Sequence, residues 1–140
     1  MKVIKITALV LISLGLFGCD NAEKAKKDEA EKLTKIQDII ISDAKKNLPI
    51  KVDSVTSLVD IFKDDNSINY RYVINASKDE LNISETEKMT SENLKGVYCT
   101  DNQQVKEFRD SFPNGAVHNY YIGDEKLFGV KLTPASCNAN

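Results

Sequence analysis

The sequence predicts an α+β domain, with a four-stranded, mainly antiparallel sheet packed on helices in the order α-β-β-α-α-β-β. One disulfide and a preceding signal peptide complete the expectation. Three observations carry it. Apolar residues recur at spacings of three and four in some segments and alternate in others. Turn-forming clusters, Asp64-Asp65-Asn66, Pro113-Asn114-Gly115 and Gly123-Asp124-Glu125, separate those segments. The three cysteines divide into one beside an apolar leader and two, Cys99 and Cys137, in the body of the chain. At 140 residues there is room for a single domain.

The leader comes first. Met1 to Lys5 form a basic start, and Ile6 to Phe17 an apolar run too short to span a bilayer, which takes about 20 residues. The run ends in Leu16-Phe17-Gly18-Cys19, which looks like a lipobox, the site where bacterial lipoprotein precursors are acylated on cysteine and cut just before it. Residues 1–18 are accordingly expected to be a signal peptide, 19–31 a charged linker and 32–140 a periplasmic domain. Cys19 is the expected lipidation site. Removing Lys2 and Lys5 with the leader leaves 17 basic against 21 acidic residues, a net charge of -4. Such a chain is a poor electrostatic match for nucleic acid or an anionic lipid surface. Membrane attachment is therefore assigned to the lipid.

Asp20 to Glu31 are nearly all charged or small residues, which favours a linker or a solvated helix. From Leu33 the spacing of Ile36, Ile40, Ala44 and Leu48 predicts a helix over about 32–46, stopped by Pro49. Val52–Lys63 is rich in β-branched and aromatic residues, and Ser67–Asn75 alternates Ile68, Tyr70, Tyr72 and Ile74 against Asn69, Arg71 and Val73. Together they predict a hairpin. Ser84-x-x-Glu87 resembles a capping box opening a helix that buries Met89, Leu94, Val97 and Tyr98. Thr100 or Asp101 is placed to cap a shorter helix with Val105, Phe108 and Phe112 on one stripe. Ala116–Ile122 and the alternating Phe128, Val130 and Leu132 supply the last two strands.

An exported chain enters an oxidising compartment, so Cys99 and Cys137 are expected to pair. No CxxC motif and only one histidine, His118, are present, so no metal site or cofactor is expected. Serine-hydrolase, zinc-protease and phosphate-loop patterns are missing as well, and the reading is of a protein that is not an enzyme. His118 is read as structural or surface-lying. Tyr70, Tyr72, Tyr120 and Tyr121 are candidates for a peptide-binding surface on the sheet.

A family resemblance is carried by Asn47-Leu48-Pro49-Ile50 after a helix, a hairpin, Tyr98-Cys99-x-Asp101 with Val105 soon after, Tyr121-x-x-Asp124 and the terminal Cys137. This layout resembles the AspS-type (GspS-beta) pilotins of type II secretion, and also a wider set of uncharacterised bacterial periplasmic domains. The resemblance implies a small α/β lipoprotein with a disulfide between the matching cysteines. It further implies binding of a helical C-terminal segment of the secretin, in a groove between helices and sheet bordered by Tyr98, Val105, Phe108 and Phe112. Asp20, next to Cys19, resembles the inner-membrane retention signal of enteric lipoproteins, whereas a pilotin should reach the outer membrane.

The expected function is therefore a membrane-anchored envelope lipoprotein with a protein or peptide partner. The alternative is an immunity, superinfection-exclusion or inhibitor lipoprotein. Metabolic labelling with a fatty-acid analogue tests the anchor: the wild type should incorporate label and Cys19→Ser should not, so label retained by Cys19→Ser contradicts the lipobox.

Overall fold

The computed structural model describes residues 2–138, with side chains from residue 23 onward. The lipobox and the proposed lipidation site Cys19 therefore lie outside the described side chains. The chain divides into two compact units, residues 1–35 and 36–140. Helix α1, Lys2–Lys45, runs through the first unit and into the second. The expected helix start near Lys32 is thus too late: the charged stretch before it is helical, the second of the two forms its composition allows.

Within the second unit, five strands follow: β1 (Ile50–Lys51), β2 (Thr56–Asp64), β3 (Ser67–Ile74), β4 (Ala116–Ile122) and β5 (Glu125–Leu132). Between β3 and β4 lie helices α2 (Ile83–Tyr98) and α3 (Gln103–Ser111). The sheet order is β1-β2-β3-β4-β5. All neighbours are antiparallel except β3 and β4, which run parallel from Ile68 opposite Ala116 to Val73 opposite Tyr121. This corrects the expectation in two respects: the sheet has five strands, and it is mixed. The extra strand is too short to leave a periodic signal. The parallel pair follows from the crossover, since β3 and β4 are joined through two helices and not by a hairpin turn.

Local chemistry sets the boundaries. Asp53 accepts from the backbone N–H groups of Val55 (2.9 Å) and Thr56 (2.7 Å), so the chain turns there and β2 starts at Thr56, later than expected. Asp65 and Asn66, with φ of 45° and 56°, form the two-residue turn that joins β2 to β3, as their residue types suggest. The capping residues differ from expectation. Asn82 caps α2 by accepting from Glu85 N at 3.2 Å, and Asn102 caps α3 by accepting from Gln104 N at 2.8 Å. In both cases asparagine, an equally good cap, wins over the hydroxyl or carboxylate nearby.

One face of the sheet carries the core. Alternation puts Leu58, Ile61, Ile68, Tyr72, Ile74, Ala116, Tyr120, Phe128, Val130 and Leu132 on it, all buried. From α1 the core takes Ile40, Ile41 and Ala44. Ile36, expected on that stripe, is exposed, and Gln37 is fully buried in its place. Its Nε2 donates to the Ser111 carbonyl (2.8 Å) and to Asn66 Oδ1 (3.2 Å), which ties α1 to the ends of α3 and β2. On α2 the inward stripe is Ile83, Thr86, Thr90, Leu94 and Tyr98; Met89 and Val97, expected inside, lie one position off it and are exposed. Gly115 takes φ 97° against β5, where a Cβ would collide with the Leu132 carbonyl oxygen.

The expected disulfide is present: Cys99, at the end of α2, is bonded to Cys137 in a short 3-10 turn after β5. With a sequence separation of 38 it removes chain entropy worth about 4 kcal/mol from the unfolded state. Thermal unfolding checks this, with Cys137→Ser expected to melt well below the wild type, by roughly 10 °C or more. An unchanged melting curve would contradict it.

Candidate functional site

Helices α2 and α3 meet at an angle set by Arg109, whose Nη1 donates to the carbonyls of Tyr98 and Thr100 (the latter at 3.1 Å), closing the corner between them. Beneath the corner the two helices do not cover the sheet completely. They leave an open apolar groove of about 250 Å³. Its helical walls are Leu94, Val97 and Tyr98 from α2 and Gln104, Val105 and Phe108 from α3, and its floor is Tyr70, Ala116 and His118. Tyr70 stands opposite His118 in the parallel register, so β3 and β4 contribute adjacent floor positions.

Of the four residues that the family resemblance assigns to a partner groove, Tyr98, Val105 and Phe108 are brought together here. Phe112 is not. It is 0% exposed and packs as core, its ring 5.4 Å from that of Phe108. One helical turn beyond Phe108, the same stripe has passed under the sheet's cover, which is why spacing alone could not separate lining from core. The tyrosines part in the same way. Tyr70 lines the groove, Tyr72 and Tyr120 are buried, and Tyr121 lies on the other face of the sheet under the Arg71 guanidinium, 4.2 Å from its ring centroid.

The floor is built on an aromatic ladder. The rings of Tyr70 and His118 stack with centroids 4.7 Å apart, Tyr72 and Tyr120 stack at 4.5 Å, and Tyr120 and Phe128 at 4.7 Å. Cross-strand pairs of this kind contribute about 0.5–1.5 kcal/mol each beyond their buried area. His118 Nδ1 lies 2.9 Å from the Tyr72 hydroxyl. Burial pushes the His118 pKa down to about 4, and pushes Tyr70 up to about 12 and Tyr72 higher still. The imidazole is consequently neutral and the phenols protonated at ordinary pH. Tyr98 is also shifted up, by burial, with the Arg109 charge opposing. Its hydroxyl is sealed from solvent without a partner among the described residues.

Of the two places expected for His118, structural or surface-lying, it takes the first: it is buried and supports the ladder, and it also faces the groove. Sequence reasoning missed Tyr70 and His118 as partners, and their shared parity with Ile68, Tyr72 and Ala116 is the signal that could have placed them on one face. Among the described residues, no group of three or more His, Cys, Asp or Glu side chains converges to hold a metal ion, and no helix is long and apolar enough to cross a membrane. The lining offers apolar contact with a few hydrogen-bonding groups.

A neutral buried histidine couples folding to pH. Its folded-state pKa is about 4 against about 6.5 unfolded, so the unfolded chain binds the extra proton first as pH falls. Stability is full above about pH 6.5 and is lost as pH drops toward 4, by on the order of 3 kcal/mol. Urea unfolding at intervals from pH 7.5 to 4 should show this slope in the wild type and a shallower one in His118→Gln. Equal slopes would contradict a neutral, buried imidazole.

No family model matches the chain. Among curated proteins it is similar to Protein K of Escherichia coli, with 33% identity over 115 residues, which is 80% of this chain and 59% of that protein. The chain thus spans somewhat more than half the length of the relative it matches. Among solved structures, it is similar to a Pseudomonas aeruginosa protein proposed to be secreted, with a TM-score of 0.63 at 11% identity over 76% of this chain and 93% of that one. At that identity the likeness is one of fold alone.

Proposed function

We propose that this chain is a lipid-anchored protein of the bacterial cell envelope whose domain binds a segment of another protein without catalysing a reaction. The observation that carries the reading is the apolar groove between α2, α3 and the sheet. Its volume of about 250 Å³ falls below the range of roughly 300–1,000 Å³ typical of small-molecule sites. An apolar cavity of about 150 Å³ holds one benzene, so the groove suits one or two large apolar side chains of a partner. Helix-in-groove recognition uses such anchors, spaced by three or four residues along an amphipathic helix.

Two further features support binding over catalysis. The groove's only imidazole is neutral and engaged with Tyr72, and the phenols are held protonated, so the lining supplies no ready base or nucleophile. Val97, at 68% exposed, is a large apolar side chain at the groove's rim with no packing role to explain it. Apolar rims of this kind mark interaction sites when they adjoin a concave surface.

In its sharpest form the reading is pilotin-like, with the C-terminal helical segment of a secretin as the occupant. A labelled peptide of that segment, from the bacterium that encodes this chain, tests it by fluorescence anisotropy with the folded domain. Binding is expected, and Val97→Asp should weaken it at least tenfold while leaving the melting temperature within a few degrees. No binding to the wild type would reject the pilotin form, and binding indifferent to Val97→Asp would reject the groove as its site.

A further inference from the structure

The floor of the groove carries a hydrogen-bond donor that the fold itself does not use. His118 is 9% exposed, held flat against the Tyr70 ring at an interplanar angle of 13°, with Nδ1 facing the Tyr72 hydroxyl. That hydroxyl has no other partner among the described residues, so both groups are satisfied when Tyr72 donates to Nδ1, which leaves the ring proton on Nε2. The Nε2–H has no acceptor among the described residues. It is not among the unpartnered side-chain polar atoms shut off from solvent in the described residues, Gln37 Oε1 and Tyr98 Oη. It is therefore reached from the groove that His118 lines.

Two other polar side chains of the lining, the Gln104 carboxamide of α3 and the Tyr70 hydroxyl, make no hydrogen bond among the described residues, while the unpartnered Tyr98 hydroxyl is sealed from solvent. No lining residue is charged, since His118 is neutral and the nearest guanidinium, Arg109, is spent on the Tyr98 and Thr100 carbonyls. An anion would have to shed its water in this apolar setting with no cationic side chain in the lining to meet it, which is costly. A carboxamide fits these groups at once, its oxygen accepting from His118 and its NH2 donating to the Gln104 or Tyr70 side-chain oxygen.

We propose that the groove reads a carboxamide side chain, Asn or Gln, flanked by apolar residues on the docking segment, and that His118 Nε2–H is the donor that recognises its oxygen. This inference rests on the groove-binding reading above and adds the polar determinant to it. Tyr72 is a positioning residue, since it fixes which ring nitrogen carries the proton. A buried donor left unpaired penalises a purely apolar occupant, which gives the groove a means of discrimination that shape alone lacks.

The test uses two probes of one size, 4-phenylbutyramide and 4-phenylbutyrate, titrated into the full chain at pH 7.5. Because His118 is the chain's single histidine, its ring nitrogens give an unambiguous long-range proton–nitrogen spectrum. The free protein should show the Nε2–H tautomer. The amide should shift the Nε2 signal and bind at least tenfold more tightly than the carboxylate. Tyr72→Phe should mix the tautomers and reduce that preference, and His118→Phe should abolish it. Equal binding of the two probes, or an Nε2 signal unmoved while Val97 and Val105 shift, would overturn the carboxamide inference and leave groove binding standing. Binding by neither probe would overturn both.

Discussion

Because β3 and β4 run parallel, the chain between Ile74 and Ala116 has to return along the length of the sheet, and it does so as two helices on one face. That constraint produces the rest. It sets Tyr70 beside His118 and Tyr72 beside Tyr120, so the aromatic ladder exists only in this register. It also places the α2–α3 corner above those residues, where two helices of 16 and 9 residues are too short to roof the sheet. A hairpin at the same position would have put β4 antiparallel to β3 and left no crossover to form the groove's walls.

The walls are held from both sides. Arg109 fixes the inner angle by taking the carbonyl of Tyr98, the last residue of α2, and that of Thr100 just beyond it, groups that a helix end leaves without partners. On the far side of Tyr98, the Cys99–Cys137 bond fastens the same helix end to the segment after β5. Tyr98 sits between these two restraints, and its hydroxyl, without a partner among the described residues, is a cost the rest of the packing has to offset. Surface ion pairs such as Lys46–Asp43 at 2.8 Å add little by comparison, being largely solvated. What stiffens the site is covalent and backbone-directed chemistry at one helix end.

Much of this was legible in the residues. Strict alternation in Phe128, Val130 and Leu132, the Asp65-Asn66 turn, and the stripe of Val105, Phe108 and Phe112 each have a local cause and each formed as expected. The two cysteines pair for a reason of compartment and count. The rest depends on what tertiary contact does to a periodic pattern. Ile36, Ile39, Ile40 and Ile41 make α1 apolar on several sides, so the sequence does not say which side faces in, and a polar residue, Gln37, turned out to. On α2, Thr86 and Thr90 hold inward places that hydrophobicity does not reveal, which displaced Met89 and Val97 to the surface. Strand pairing is non-local, so neither the fifth strand nor the neighbouring of Tyr70 with His118 could be read from a single segment.

The central claim is that the face bearing the groove, and not the opposite face of the sheet, meets the partner. A photoreactive phenylalanine analogue installed in turn at Val97, on the groove's rim, and at Phe62, exposed on the sheet's other face, tests it inside living cells. The account predicts a discrete cross-linked adduct from position 97 on irradiation and none from position 62. An adduct from position 62 alone would contradict it.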